Sequence, residues 1–283
     1  MPSPAHHPLA AYARILTGIR RARPAVDTAP SFLIANDDVD FGGGRRARYG
    51  ALIRAQSGAP LPAWPHVLAT AMHTRLVADP RFALAPLGLV HVSQRITPHA
   101  PLPDRGRLEV SLRGYSPHRR GVLCTIDTRA YDNGTLVWEG ETTALSPQAK
   151  WPTSAPPPKR PLRSSSPSTP PALSVSETLG GGLGRSYSRV SWDWNPIHLH
   201  PLVSRPFGFK RPIIHGMWTA ARCATLLGEI GSGEALVARF RRPLSLPSRV
   251  RIEAWPAEGF ARAASADGER VYVSVHRAPP PSA

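Results

Sequence analysis

Apolar and polar positions along this 283-residue chain repeat first with helical and then with strand spacing, and they do so twice in the same order. In the first half, Pro65-His66-Val67-Leu68-Ala69-Thr70-Ala71-Met72-His73 has a proline start and helical period, which predicts a central helix. Four strand-like segments follow at Gly88–Thr97, Arg107–Tyr115, Gly121–Tyr131 and Thr135–Leu145. The last two are joined by Asp132-Asn133-Gly134, a strong hairpin signal. In the second half, the run from Trp218 to Leu227 is almost wholly apolar, with Arg222 as its only charge. It is rich in Ala and free of Pro and Gly, so it predicts a helix buried on nearly every side, with Gly216 in its first turn. Strand patterns then recur at Ala235–Arg241, Arg249–Trp255, Phe260–Ser265 and Arg270–Arg277, with Asp267-Gly268 as the final turn. Val271, Val273 and Val275 share one face of the last. Each half therefore reads as an α+β unit, one helix with an antiparallel sheet wrapped around it.

Ser146 to Pro171 is dominated by Pro and Ser and predicts an exposed spacer. The expected organisation is a first domain over 1–145, a linker over 146–172 and a second domain over 173–283. Residues 25–60 show no clear period and are expected to be irregular. Gly42-Gly43-Gly44-Arg45-Arg46 lacks the Gly-Lys-Ser/Thr of a phosphate loop and is expected to be a solvent loop, and Gly180 to Gly184 a flexible lead-in without a flanking strand or helix. Near the N-terminus, Leu9, Tyr12, Ile15, Leu16 and Ile19 fall on one helical face opposite Arg14, Arg20 and Arg21, predicting an amphipathic helix ended by Pro24. An Arg-rich transit peptide is the alternative.

Composition narrows the classes. A net charge of +16 suits nucleic acid, but all but three of the 35 basic residues are arginines scattered along the chain, without any RNA-binding or zinc-finger pattern. No nucleic-acid partner is expected. No run reaches the ~20 apolar residues of a membrane helix, so no membrane span is expected. Cys124 and Cys223 lie in apolar contexts, as reduced core thiols of a cytoplasmic protein do. His66, His73, His91, His99 and His118 are scattered and read as packing or surface residues.

Chemistry concentrates between Tyr187 and Leu227. Asp193-Trp194-Asn195-Pro196-Ile197-His198 sets a carboxylate and an imidazole five positions apart, with a proline that enforces a defined turn between them. Ile213-Ile214-His215-Gly216-Met217 then enters the apolar helix. Its first N–H groups have no intrahelical partner and can bind a developing oxyanion. A carboxylate and an imidazole sharing one water can move its two protons.

Ser191, Asp193, Asn195, Pro196, Ile197, His198, Ser204, Gly208, Phe209, Pro212, His215 and Gly216 fall into a long gapped pattern that resembles the signature of the MaoC-like family. These are (R)-specific enoyl-thioester hydratases and 3-hydroxyacyl-thioester dehydratases of hot-dog fold. Trp192 stands where that pattern has Gly, and His200 where Asp is common. A serine usual later on the family's central helix is replaced near Ala224, with Thr225 adjacent. The resemblance implies a double hot-dog whose degenerate first half supports a catalytic second half, as a monomeric double hot-dog or a homodimer. It implies Asp193 to orient and activate water, His198 to exchange the other proton, and the Gly216 N–H to hold the oxyanion.

Asn195, His215, Arg205, Lys210 and Arg211 are the expected substrate-binding residues. Asn195 would act mainly by holding the turn, and His215 structurally or by touching substrate. The three cations would meet pantetheine-linked phosphates or serve as plain surface charge. The expected partner is an acyl-CoA or acyl carrier protein thioester, whose phosphates or acidic surface the positive field attracts. No cofactor and no metal is expected, although His198, His200 and His215 offer an alternative reading as metal ligands. A non-catalytic member of the same family is a further alternative. A hot-dog thioesterase is disfavoured because the His-paired turn is foreign to those enzymes.

Overall fold

A computed structural model describes residue 15, residues 23–28, 30–152 and 167–279. Of the predicted N-terminal helix only Ile15 is among them, and it is helical and buried. The rest of that helix and residues 153–166 of the predicted spacer lie outside the described residues.

The first half runs β1 (Leu33–Asp40), α1 (Gly43–Leu52), α2 (Trp64–Ala78), β2 (Val90–Pro98), β3 (Arg105–His118), β4 (Gly121–Asp132) and β5 (Thr135–Ser146). The second runs β6 (Leu173–Leu179), α3 (Leu183–Ser191), α4 (Pro201–Ser204), α5 (Gly216–Ala224), β7 (Ala235–Phe240), β8 (Ser248–Trp255), β9 (Phe260–Ser265) and β10 (Val271–Ala278). All ten strands form one sheet in the order β1-β3-β4-β5-β2-β7-β10-β9-β8-β6. Read outward from its centre, each half presents the strand after its helix, then its last, fourth, third and first. The same topology is thus laid down twice, and the copies meet where β2 pairs antiparallel with β7, Gln94 opposite Ala238. This is a double hot-dog, an α+β fold with α2 and α5 as the two wrapped helices.

Burial explains the wrapping. Met217 to Cys223 of α5 are all buried, so the helix has no solvent face. Arg222 is tolerated there because its Nε donates to Glu177 of β6 at 2.7 Å and its Nη1 to the Thr225 hydroxyl at 2.6 Å. Trp64, Trp138 and Trp218 are fully buried, and each indole N–H reaches a carbonyl oxygen, of Phe41, Pro62 and Leu52 respectively. The last of these contacts fastens α5 to the end of α1 in the other half. The Asp132-Asn133-Gly134 hairpin turns with φ 45° at Asn133 and 84° at Gly134, as a tight primed turn requires.

Three expectations are corrected. Residues 25–60 hold an edge strand and a helix, β1 and α1. Their sequences LIANDDVD and GGRRARYGAL escape a periodicity reading because β1 is largely exposed and α1 begins with two glycines and two arginines. The glycine run at 42–44 is the start of α1 and not a solvent loop. Gly180 to Gly184 is flanked by both elements thought absent, β6 before it and α3 after it; the apolar stripe of α3 is only Leu183, Tyr187 and Val190, too short to stand out among the serines and arginines between them. Among the described residues no helix is long and apolar enough to cross a membrane.

Candidate active site

The chain leaves α3 through a turn built by its own side chains. α3 ends on Trp192, at φ 61° and ψ 17°, whose N–H donates to the Ser188 carbonyl at 2.8 Å. The Ser191 hydroxyl donates to Tyr187 O at 3.0 Å and accepts from the Asp193 N–H at 3.2 Å. Asp193 Oδ1 accepts from the Asn195 N–H at 3.1 Å, and Asn195 Oδ1 from the Ile197 N–H at 3.4 Å. These are the side-chain turns that Asp and Asn make. Pro196 then opens one 3₁₀ turn, Pro196–His198. Gly184 lets α3 press on this turn, since a Cβ there would overlap the His198 carbonyl.

The approach to α5 lies alongside, because the Ile213 N–H donates to Ile197 O at 3.0 Å. Two histidines fix the pair of segments. His198 Nδ1 is 2.8 Å from Ile213 O, and a carbonyl oxygen can only accept, so Nδ1 carries the hydrogen and Nε2 the lone pair. His215 Nε2 is 3.2 Å from Asp193 O and by the same argument donates to it. The two rings stack with centroids 3.6 Å apart, and Tyr187 packs on His215 at 4.7 Å. Asp193 Oδ2 faces both, 4.0 Å from His198 Nε2 and 3.6 Å from His215 Nε2.

Burial keeps both imidazoles neutral. It lowers the His198 pKa against the opposing pull of Asp193 and the Ile213 hydrogen bond. Burial, reinforced by His198, lowers that of His215 to about 3. The site therefore offers one carboxylate oxygen and one basic nitrogen 4.0 Å apart, too far for a direct hydrogen bond. One oxygen about 2.8 Å from each would bridge them. Beside them is the first residue of α5, Gly216, whose N–H lies in the turn without intrahelical acceptors.

Asp193, His198 and His215 have donor atoms within 4.8 Å of one another, compact enough to hold a cation. With Nε2–H of His215 turned to Asp193, that nitrogen would have to change tautomer before ligating. His200 is not in this group. It is exposed, and its Nδ1 accepts from the Leu202 N–H at 3.2 Å, capping α4.

A cavity of about 1090 Å³ lies between the halves. Met217, Ala220 and Ala221 of α5 form one wall and Tyr49, Ile53 and Leu61 another. Met217 adjoins Gly216, and Tyr49 faces Tyr187 at 6.3 Å. Asp193 and His198 are not part of that wall. Arg205, Lys210 and Arg211 are exposed, do not line the cavity, and Arg211 donates to Pro247 O at 3.2 Å. Thr225 lines the cavity, but its hydroxyl is bonded to Arg222. Sequence reading passed over Arg45 and Gly184, both placed in runs taken for loops. A glycine run ending in a charged helix was the one available signal.

Fold and site define a double hot-dog protein with a carboxylate and an imidazole at the mouth of a central helix. A model of the MaoC like domain matches residues 164–276. The 3-hydroxyacyl-thioester dehydratase X of Mycobacterium tuberculosis is 28% identical over 250 residues, 87% of each chain. The (R)-specific enoyl-CoA hydratase of Aeromonas caviae is 36% identical over 84 residues, 28% of this chain and 63% of that one. The crystal structure of HtdX of Mycobacterium tuberculosis superposes with a TM-score of 0.68 at 23% identity, over 87% of this chain and 99% of that one. Residues 164–276 thus match a MaoC like domain, and over most of its length the chain is similar to a 3-hydroxyacyl-thioester dehydratase.

Proposed function

We propose that this chain is a hydro-lyase that adds water to enoyl thioesters and removes it from (3R)-3-hydroxyacyl thioesters. The observation that carries this reading is the separation of Asp193 Oδ2 from His198 Nε2, 4.0 Å, beside the start of α5, which no side chain caps. The names of the dehydratase and hydratase relatives support it.

In the hydration direction, Asp193 Oδ2 accepts one hydrogen of the bridging water and aims its oxygen at C3. His198 Nε2 takes the other proton as the C3–O bond forms. The π electrons pass to the thioester carbonyl, where the Gly216 N–H meets the developing charge. Collapse of the enolate then draws the proton from His198 to C2, and the imidazole is neutral again. Dehydration reverses each step. His215 holds the Asp193 backbone, Asn195 holds the turn, and the apolar cavity takes the acyl chain. Arg205, Lys210 and Arg211, all exposed, would meet phosphates of coenzyme A or the acidic face of a carrier protein. The protein would work in the cytoplasm, as a monomeric double hot-dog or a homodimer.

Purified protein with crotonyl-CoA, longer enoyl-CoA esters and enoyl-carrier thioesters tests the reading, followed as loss of enoyl absorbance and by the configuration of the product. Turnover giving the (3R) alcohol is expected. No turnover of any member would sink it in favour of a second reading, a non-catalytic thioester-binding protein. The engaged Thr225 hydroxyl and Trp192 before the aspartate favour that alternative.

A further inference from the structure

Asp193 is mounted on a residue in a conformation that its side chain resists. Trp192 closes α3 at φ 61°, the left-handed position where a helix C-terminus favours glycine because a Cβ crowds the following carbonyl. A tryptophan stays there only if its surroundings hold it. The holder comes from the other half of the molecule, in α1. Arg45 Nε donates to the Val190 carbonyl at 2.7 Å, one of the last-turn carbonyls that α3 leaves without a helical partner. Its guanidinium carbon lies 4.2 Å from the centroid of the Trp192 ring and 5.7 Å from that of Trp64. Arg45 is thus gripped between two indoles. Burial, with Arg48 nearby, brings its pKa down to about 10, so it remains charged near neutrality.

The next link is short. The Asp193 N–H and C=O are each tied, to Ser191 and His215, and its carboxylate caps Asn195. Any rotation at Trp192 is therefore delivered to the carboxylate and to its 4.0 Å separation from His198. We propose that Arg45 is a positioning residue for Asp193: by holding the Val190 carbonyl and the Trp192 indole, it locks the left-handed residue that carries the carboxylate. This rests on the hydro-lyase reading above and assigns the first half of the chain a part in it.

The test is a cycle of variants on the full chain with crotonyl-CoA as substrate: Arg45→Met, Trp192→Gly, the double variant, and Asp193→Asn as reference. Arg45→Met is expected to lower kcat about 10–100-fold with KM within about threefold, because a misplaced group loses rate more than binding. In the Trp192→Gly background the same Arg45→Met step is expected to cost less than about threefold, because glycine holds the left-handed conformation without a clamp. Arg45→Lys, which keeps charge but not the planar fork, should fall between and serves if Arg45→Met does not fold. An equal Arg45→Met penalty in both backgrounds, or a change in KM alone, overturns the clamp while Asp193→Asn still lowers the rate ~10²–10⁴-fold. An inert wild type, or an active Asp193→Asn, overturns the hydro-lyase reading and the clamp with it.

Discussion

His198 Nδ1 lies 2.8 Å from the carbonyl oxygen of Ile213, and this contact decides which nitrogen can do chemistry. With the hydrogen committed to Ile213, Nε2 is left as a base facing Asp193. Removing either member of the pair should be costly. Asp193→Asn and His198→Ala are each expected to lower hydration ~10²–10⁴-fold, the usual worth of a general acid or base. Far-UV circular dichroism should be unchanged. A near-normal rate in either would remove it from the mechanism.

The acid limb of activity should lie below the ordinary histidine range. Burial lowers the His198 pKa, so the neutral imidazole required at Nε2 persists as pH falls past the ordinary histidine value of 6.5. A pH profile of kcat/KM is expected to stay level from about pH 7.5 to below 6.5 before it falls. A midpoint above 6.5 would mean that His198 is not held neutral.

Stability should show the same sign through other histidines. Burial lowers the pKa values of His73 and His215 to about 3 and of His91 to about 4, each from 6.5. The unfolded chain therefore binds protons below about pH 6.5 that the fold refuses, and stability rises with pH across that window. It is fully present above 6.5 and lost as pH drops toward 4 and then 3, with up to about 1.4 kcal/mol per pH unit from each histidine. Urea midpoints between pH 8 and 4.5 check this. His73→Gln, which can keep a bond to Thr128, should flatten the slope.

Much of this was legible because period and chemistry coincided. The strands of both halves had alternating faces, and the apolar run after Gly216 could only be a wrapped helix. The turn from Asp193 to His198 announced itself by residue type and spacing. What escaped was set by tertiary contact. α3 is a nine-residue helix that buries Tyr187, Ser188, Val190 and Ser191 beside the Asp193–His198 turn, and its three apolar positions are too few to set a period by themselves. Arg45 reaches a carbonyl 145 positions away, and no local rule connects them. His91 was expected to be a packing or surface residue. Its ring packs on Phe240 at 4.4 Å, and through Phe240 it backs Gly216.

The buried pair Glu177–Arg222 should be sensitive to loss of one partner and tolerant of loss of both. Glu177 also lies 3.5 Å from Arg54, which tightens the link between halves. Glu177→Gln strands a buried guanidinium and is expected to cost about 3–5 kcal/mol. Glu177→Leu combined with Arg222→Met should recover most of that, read from urea midpoints at constant m. A double variant as unstable as the single would show that the pair itself stabilises the fold.

Gly216 is required by a ring more than by a substrate. A Cβ built on it would lie 2.8 and 2.9 Å from Phe240 Cδ1 and Cε1, so Gly216→Ala drives the start of α5 against β7. The expected cost is about 1–3 kcal/mol of stability, with a fall in kcat as the first N–H of the helix shifts. Alanine keeps that N–H, so removing the obstacle should restore its position. Gly216→Ala combined with Phe240→Ala is therefore expected to regain kcat to within about tenfold of Phe240→Ala alone, although the cavity left by the ring keeps the protein less stable. If the combined variant is as slow as Gly216→Ala, glycine is needed there for the close approach of the thioester carbonyl.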